Sequence, residues 1–195
     1  MKKFELTSEF ITNIFGTKLF RIKALIEFGN VKAGELGGFV EKEENLNHEG
    51  NAWVYGNAEV YGNARVYGNA SVYGDARVCG DARVYGNAWV YGNARVCDDA
   101  RVYGNASVYG NARVCGDARV YGNADYATVH GFGSEYRTTT FFKTKAGEIG
   151  VRCGCFYGNL SEFRKKVVET HGETKKAKEY LMLADLMEFR FSDNS

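Results

Sequence analysis

The sequence contains no proline, and only three histidines and two tryptophans among its 195 residues. The absence of proline is consistent with a chain that needs few irregular turns. With so few histidines, a histidine base or an imidazole ligand is confined to His48, His130 and His171. No apolar run approaches the length of a membrane helix. The opening "MKKFELTSEF" has basic residues but no apolar stretch behind them, so a secretory leader is not expected. The five cysteines are then expected as free thiols in a reducing, cytoplasmic compartment. An excess of positive charge is also missing. Residues 1–52 hold seven Lys/Arg and eight Asp/Glu, residues 53–124 seven and six, and residues 125–195 eleven and ten. Phosphate-backbone recognition usually needs a basic surplus, so a protein partner is favoured over nucleic acid.

What the chain has in abundance is a six-residue repeat. From Trp53 to Ala124 it divides without a gap into twelve hexads of the form X-Val-Tyr-Gly-Asn-Ala. Valine fills the second slot and alanine the sixth throughout. The third is tyrosine nine times and cysteine three times; the fourth is glycine except at Asp98; the fifth is always Asn or Asp. Successive strand residues point to opposite faces, so Ala and Val share one side, X and Tyr the other. Gly-Asn supplies a corner. Repeated in one sense, strand and corner make a solenoid; twelve identical hairpin strands would not fix a register.

Cys79, Cys97 and Cys115 lie eighteen residues apart. If three hexads close a triangular coil, these residues form one column, with Asp81, Asp99 and Asp117 in the column beside them. Trp53, Ser71, Trp89 and Ser107 then stack on a second face, and Arg65, Arg83, Arg101 and Arg119 on the third. A twelve-residue, two-sided coil would scatter these sets.

The hexad, with an aliphatic residue followed four positions later by a small one, resembles the left-handed parallel β-helix of hexapeptide-repeat proteins over residues 53–124. Handedness stays open, because bactofilin-like three-sided coils wind to the right. The wording "YGNARVYGNA", with the leader "FGNVKAGELGGFVEKEENLNHEGNAWVYG", also resembles uncharacterised proteins of Gram-positive bacteria and their prophages, which implies a phage-associated context. Many hexapeptide-repeat proteins are acyltransferases with a histidine base in or near the coil. None of the three histidines lies inside the twelve hexads, so that role transfers to no coil position; His130, in "VHGFG", is the nearest candidate. Three-histidine metal centres of carbonic-anhydrase-like members are likewise not matched.

The expected architecture is mainly β: a three-sided parallel β-solenoid of eighteen residues per coil, between two end pieces. An N-terminal β cap spans residues 1–52, the coil 53–130, and a C-terminal hairpin with two helices 131–195. In the cap, two strands are expected around a turn at Asn13–Gly16, followed by an irregular stretch from Gly29 to Leu46. Leu46 sits in the alanine register, and His48 in the first valine slot as a capping polar residue. "DYATVH" (125–130) reads as a degraded repeat. A hairpin turns at Lys145–Gly147, and a helix runs from an Ser161 N-cap to Gly172. In the last helix Ala177, Tyr180, Ala184, Met187 and Phe191 make one packing stripe, and Leu181, Leu183 and Leu186 widen it towards a second subunit.

The functional expectation follows from the outside of the prism. Nine tyrosines and two tryptophans projecting from flat faces are more ring surface than a soluble monomer usually shows. The face with Trp53, Tyr55, Tyr73, Trp89, Tyr91 and Tyr109 has no charged X residue within the twelve hexads and is the first candidate binding surface. The second pairs Arg65, Arg83, Arg101 and Arg119 with Tyr67, Tyr85, Tyr103 and Tyr121, a composition suited to cation–π stacking. Cys153 and Cys155 in "RCGC" fall on alternate strand positions, without the second close pair a zinc site usually brings. No catalytic residue, metal or cofactor is expected. The sequence reads as a self-associating, non-enzymatic binding protein, with inhibition of a host defence system as one role implied by the prophage resemblance. An acyltransferase relative and a self-assembling scaffold are the alternatives.

Overall fold

The computed structural model describes residues 1–133 and 135–192. Three strands open the chain: β1 (Phe4–Thr12), β2 (Lys18–Ala24) and β3 (Leu36–Val40). Twelve two-residue strands follow, one per hexad, from β4 (Trp53–Val54) to β15 (Arg119–Val120). The chain ends in β16 (Tyr126–Phe132), β17 (Arg137–Lys143), β18 (Ile149–Cys153), β19 (Phe156–Asn159), α1 (Leu160–His171) and α2 (Lys175–Phe191).

The hexads pair in parallel at a spacing of eighteen residues. Trp53, Ser71, Trp89 and Ser107 align on one sheet; Glu59, Arg77, Arg95 and Arg113 on the second; Arg65, Arg83, Arg101 and Arg119 on the third. The three-sided, eighteen-residue coil is therefore the fold. All twelve valines and the alanines from Ala58 to Ala118 are fully buried. At about 1.5 kcal/mol or more per buried valine, this thin interior is strengthened chiefly by repetition and by the ladders between coils.

Corners show why glycine recurs. Gly86 has φ +72°, and a Cβ there would lie 3.0 Å from the backbone nitrogen of Gly104 in the next coil. Asp98 takes the same left-handed conformation (φ 59°) without being glycine, and its carboxylate accepts from the Gly116 N–H at 3.1 Å. That bond offsets part of the local steric cost.

The coil starts earlier than the repeat wording. The stretch from Gly29 to Leu46, expected to be irregular, contains β3, whose Phe39 and Val40 pair in parallel with Glu59 and Val60. Leu46 stacks on Val66, in the valine column rather than the alanine register. Val40 and Leu46 each stand twenty residues from their partners in the next coil, whereas Asn51 stands eighteen from Asn69, so two extra residues fall between Leu46 and Asn51 and the hexad count fails there. His48 consequently leaves the valine slot and sits at the half-exposed rim. Buried Asn45 donates to Gly62 O and Ala64 O, while buried Lys3 donates through Nζ to Gly50 O and Ala52 O. Strands β2 and β1 extend the cysteine-bearing sheet antiparallel from β3 and close that end.

At the other end, residues 125–130 are not a degraded repeat. A 3-10 turn at Asn123–Asp125 ends the coil, and β16 pairs antiparallel with β17. The hairpin of β17 and β18 forms as expected, and β19 extends it. Neighbouring residues of β17 serve two cores: Phe142 plugs the prism, Phe141 packs on the helices. The last coil's backbone donors find partners in this cap, Ser107 N–H on Asn123 Oδ1 and Arg113 N–H on Thr140 Oγ1. Helix α1 is capped by Asn159, whose side chain accepts from Glu162 N–H, so the cap lies two residues before Ser161; Gly172 ends it. The stripe Ala177, Tyr180, Ala184, Met187 and Phe191 is buried as expected, and Leu183 joins it. Leu186 is exposed, beside exposed Met182 and Phe189. Among the described residues, no helix is long and apolar enough to cross a membrane.

Candidate functional site

The aromatic face is built on β4, β7, β10 and β13, and its tyrosines stack up the prism. Tyr73 and Tyr91 are parallel with centroids 4.9 Å apart, and Tyr91 and Tyr109 follow at 5.2 Å. Trp89 stands edge-on to Tyr73 at 6.2 Å, between the small side chains of Ser71 and Ser107 in its own column. It is 50 % exposed and Tyr109 51 %. The top of the column is closed by Tyr126, which meets Tyr109 edge-on and donates its hydroxyl to Ser107 O; burial raises its pKa to about 12.

Trp53 does not belong to this surface. Its ring is fully buried, edge-on to Phe4 at 6.2 Å and Phe28 at 5.3 Å. The N-terminal cap folds over the first coil, and Gly37 makes room for the ring: a Cβ there would lie 2.7 Å from Trp53 Cζ2. Tyr55 is half-buried against the same cluster. The hexad places Trp53 and Trp89 in equivalent slots, and only the covering strands distinguish them. The accessible face is thus Tyr73, Trp89, Tyr91 and Tyr109.

On the third face Tyr67, Tyr85 and Tyr103 form a parallel stack at 4.8 and 5.1 Å, and Tyr121 meets Tyr103 edge-on. The cation–π pairing expected of the arginines is replaced by this stack. Coils rise by about 4.8 Å, a distance that suits ring on ring and leaves no ring face for a guanidinium. Among the described residues the cation–π contacts lie instead in the cap, including Lys3 over Phe28 and Arg21 over Phe39. Arg65 and Arg83 are exposed, Arg101 is half-exposed, and Arg119 folds onto the corner, donating to the carbonyls of Asp99, Asp117 and Ala118. Near the N-terminal end of this face an open cavity of ≈ 610 Å³ is lined by Arg65, Arg83, Tyr67, Glu43 and His48, among others. His48 Nδ1 accepts from Lys3 N–H, which puts the ring proton on Nε2, 2.7 Å from Glu43 Oε1. Both ring nitrogens are engaged, so neither offers a free lone pair to a substrate.

On the cysteine face the column is as expected, but not all its thiols are free. Cys97 and Cys115 form a disulfide, while Cys79, Cys153 and Cys155 are unbonded. Register alone brings the two Cα atoms to 4.7 Å, within bonding reach. Asp98 lies beside them, the three ligand-type atoms falling within 4.8 Å of one another. Both sulfurs of that set are committed to each other. Cys79 pairs with the Tyr61 hydroxyl, and burial pushes the tyrosine up to about 12.

Elsewhere, His130 is exposed, with Nδ1 3.3 Å from Thr138 Oγ1. Cys153 contacts Thr139 Oγ1 and ends β18. Gly154 then turns the chain at φ +59°, which leaves Cys155 exposed in the turn rather than beside Cys153 on a strand.

A family model described as the YdcK beta solenoid repeat matches residues 58–74, 76–92, 94–110 and 112–124. The matches begin at Ala58, Ala76, Ala94 and Ala112, in steps of one coil (76 − 58 = 18). No curated protein matches the chain.

Proposed function

We propose that this repeat β-helix protein is a non-enzymatic binding protein that engages a protein partner, a second copy of itself included, through the aromatic face centred on Trp89. The observation that carries the reading is Trp89 itself: half exposed, on the one face whose X column is uncharged, between two serines. Its tyrosine neighbours are already ordered by stacking, so covering them costs little side-chain entropy. Trp and Tyr are the residues that most often anchor protein interfaces. Inhibition of a host system by occlusion needs no more than such a surface.

The test is Trp89→Ser, which repeats what the chain already carries at positions 71 and 107. Loss of a buried interface tryptophan costs about 2 kcal/mol or more in binding. Circular dichroism should be unchanged, while light scattering and co-purification show loss of the assembly or the partner. Parental mass and partner binding in that variant would leave the face a solvated ladder and move the site to Arg83 and Arg101.

A further inference from the structure

Four arginines converge where the cysteine face of the coil meets the C-terminal sheet. Arg95 and Arg113 are adjacent in register on β11 (Arg95–Val96) and β14 (Arg113–Val114). They line a cavity of ≈ 270 Å³ together with Arg137 and Thr138 of β17 and with Asn93 and Asn111. Arg152 of β18 stands behind Arg113, and its buried Nε has no hydrogen-bond partner. Acidic neutralisation is scarce. Lower in the same column Arg77 is paired with Glu59 at 3.4 Å, but Arg95, Arg113 and Arg152 have no ion-pair partner among the described residues. The one nearby acid in contact is Glu135, 3.8 Å from Arg137, with both side chains more than half exposed.

The asparagines point the same way. At another corner Asn51, Asn69, Asn87 and Asn105 bond to one another in a continuous amide ladder. At this corner the ladder stops: Asn57 reaches Asp75, and the amides of Asn93 and Asn111 have no side-chain partner among the described residues. Burial, and then the nearby charges of Arg95, Arg152 and Arg137, disfavour the charged form of Arg113. Like charges held together without counter-charge are a cost that the fold carries unless an anion offsets it. Guanidinium groups with amide and hydroxyl donors at their side are the donor set that holds a tetrahedral oxyanion.

We propose that this cavity binds a phosphate-type oxyanion, either free or as the phosphate group of a small molecule, held by Arg95, Arg113 and Arg137 with Asn93, Asn111 and Thr138 completing the donors. The site is on a different face from Trp89 and stands independently of the function proposed above. The absence of an aromatic ring from the cavity lining makes the phosphate, rather than a stacked base, the recognised part.

The full chain would be titrated with inorganic phosphate, and separately with phenyl phosphate, in a calorimeter at ionic strength fixed with chloride. Saturable binding of either is expected, the first alone marking a free-ion site and the second a site for phosphate esters. Arg95→Gln, which is exposed and safe for folding, should weaken binding about tenfold or more, as loss of a charged hydrogen bond does. Arg113→Gln should weaken binding similarly and leave the melting temperature without phosphate equal or higher. Arg190→Gln, exposed on α2 and not part of the cavity lining, should change neither. No saturable binding beyond the chloride control, or undiminished binding in Arg95→Gln, would overturn the proposal. So would capture of single-stranded RNA without phosphate binding, which would make the cluster a nucleic-acid surface.

Discussion

Trp53 is enclosed by Phe4, Phe28 and Gly37, whereas Trp89, in the same column two coils on, stands half in solvent. Trp53→Ala should therefore cost about 3–5 kcal/mol, the range for a buried aromatic replaced by alanine, and detach the N-terminal cap. Trp89→Ser should leave the unfolding midpoint within about 0.5 kcal/mol of the parent, as surface substitutions do. Acrylamide quenching of the two single-tryptophan variants separates them directly: only the chain retaining Trp89 should quench readily. Lys3 gives a pH signature. Its ammonium is buried on the Gly50 and Ala52 carbonyls, and burial lowers its pKa from 10.5 to about 8. Between these values the unfolded chain holds the proton that the folded chain has lost, so stability rises from about pH 8 to about pH 10.5. Tyr61, Tyr126 and Tyr180 act in the opposite sense. Burial raises each to about 12, so the stability they contribute is complete below pH 10 and lost as pH approaches 12. Denaturant midpoints should pass through a maximum near pH 10, and Lys3→Met should flatten the rise below it without altering the fall above it.

At the level of elements, the repeat itself was legible to the residue. Each hexad carries its own strand, its own corner and its own column, so local letters and global position say the same thing. Legibility ends where contacts cross between unlike elements. Nothing in "GGFV" announces a strand, because β3 is held by Glu59 and Val60 far along the chain, and its glycines are there for Trp53 and Val54 to approach. The arginine cluster was equally hidden: Arg95 and Arg113 are repeat residues, but Arg137 and Arg152 reach them only through the sheet that follows. Asn159 and Ser161 both suit a cap by residue type, and only the Glu162 N–H, which donates to Asn159, chooses between them. Replacing Asn159 by alanine should cost about 1 kcal/mol, while Ser161→Ala should cost almost nothing. Thermal unfolding of the two variants measures the difference.

For the whole molecule, both ends of the prism are shut by structures unlike the coil. β1 and β2 turn the first edge into an antiparallel sheet, and β17 sets Phe142 and Thr140 over the last. An uncapped parallel edge is a template for another. A chain ending at Gly122 keeps the first plug and exposes only the last edge, so it should pair edge to edge into dimers, seen as a doubled mass in light scattering. A chain of that length that stays monomeric and folded would show that the coil needs no terminal plug.

The eighteen-residue register has a consequence for how such a protein changes over time. Because corresponding residues of successive coils are superimposable, duplication or loss of a whole coil by recombination between repeats leaves both plugs seated and every column aligned. It alters only height, by about 4.8 Å per step. Loss of a single hexad between Cys79 and Trp89 is a different event: it rotates all later letters by one face, carries Trp89 into the column of Arg65 and Arg83, and parts Cys97 and Cys115 from Cys79. Relatives of this chain should differ in height by whole coils, and rarely by a third of one.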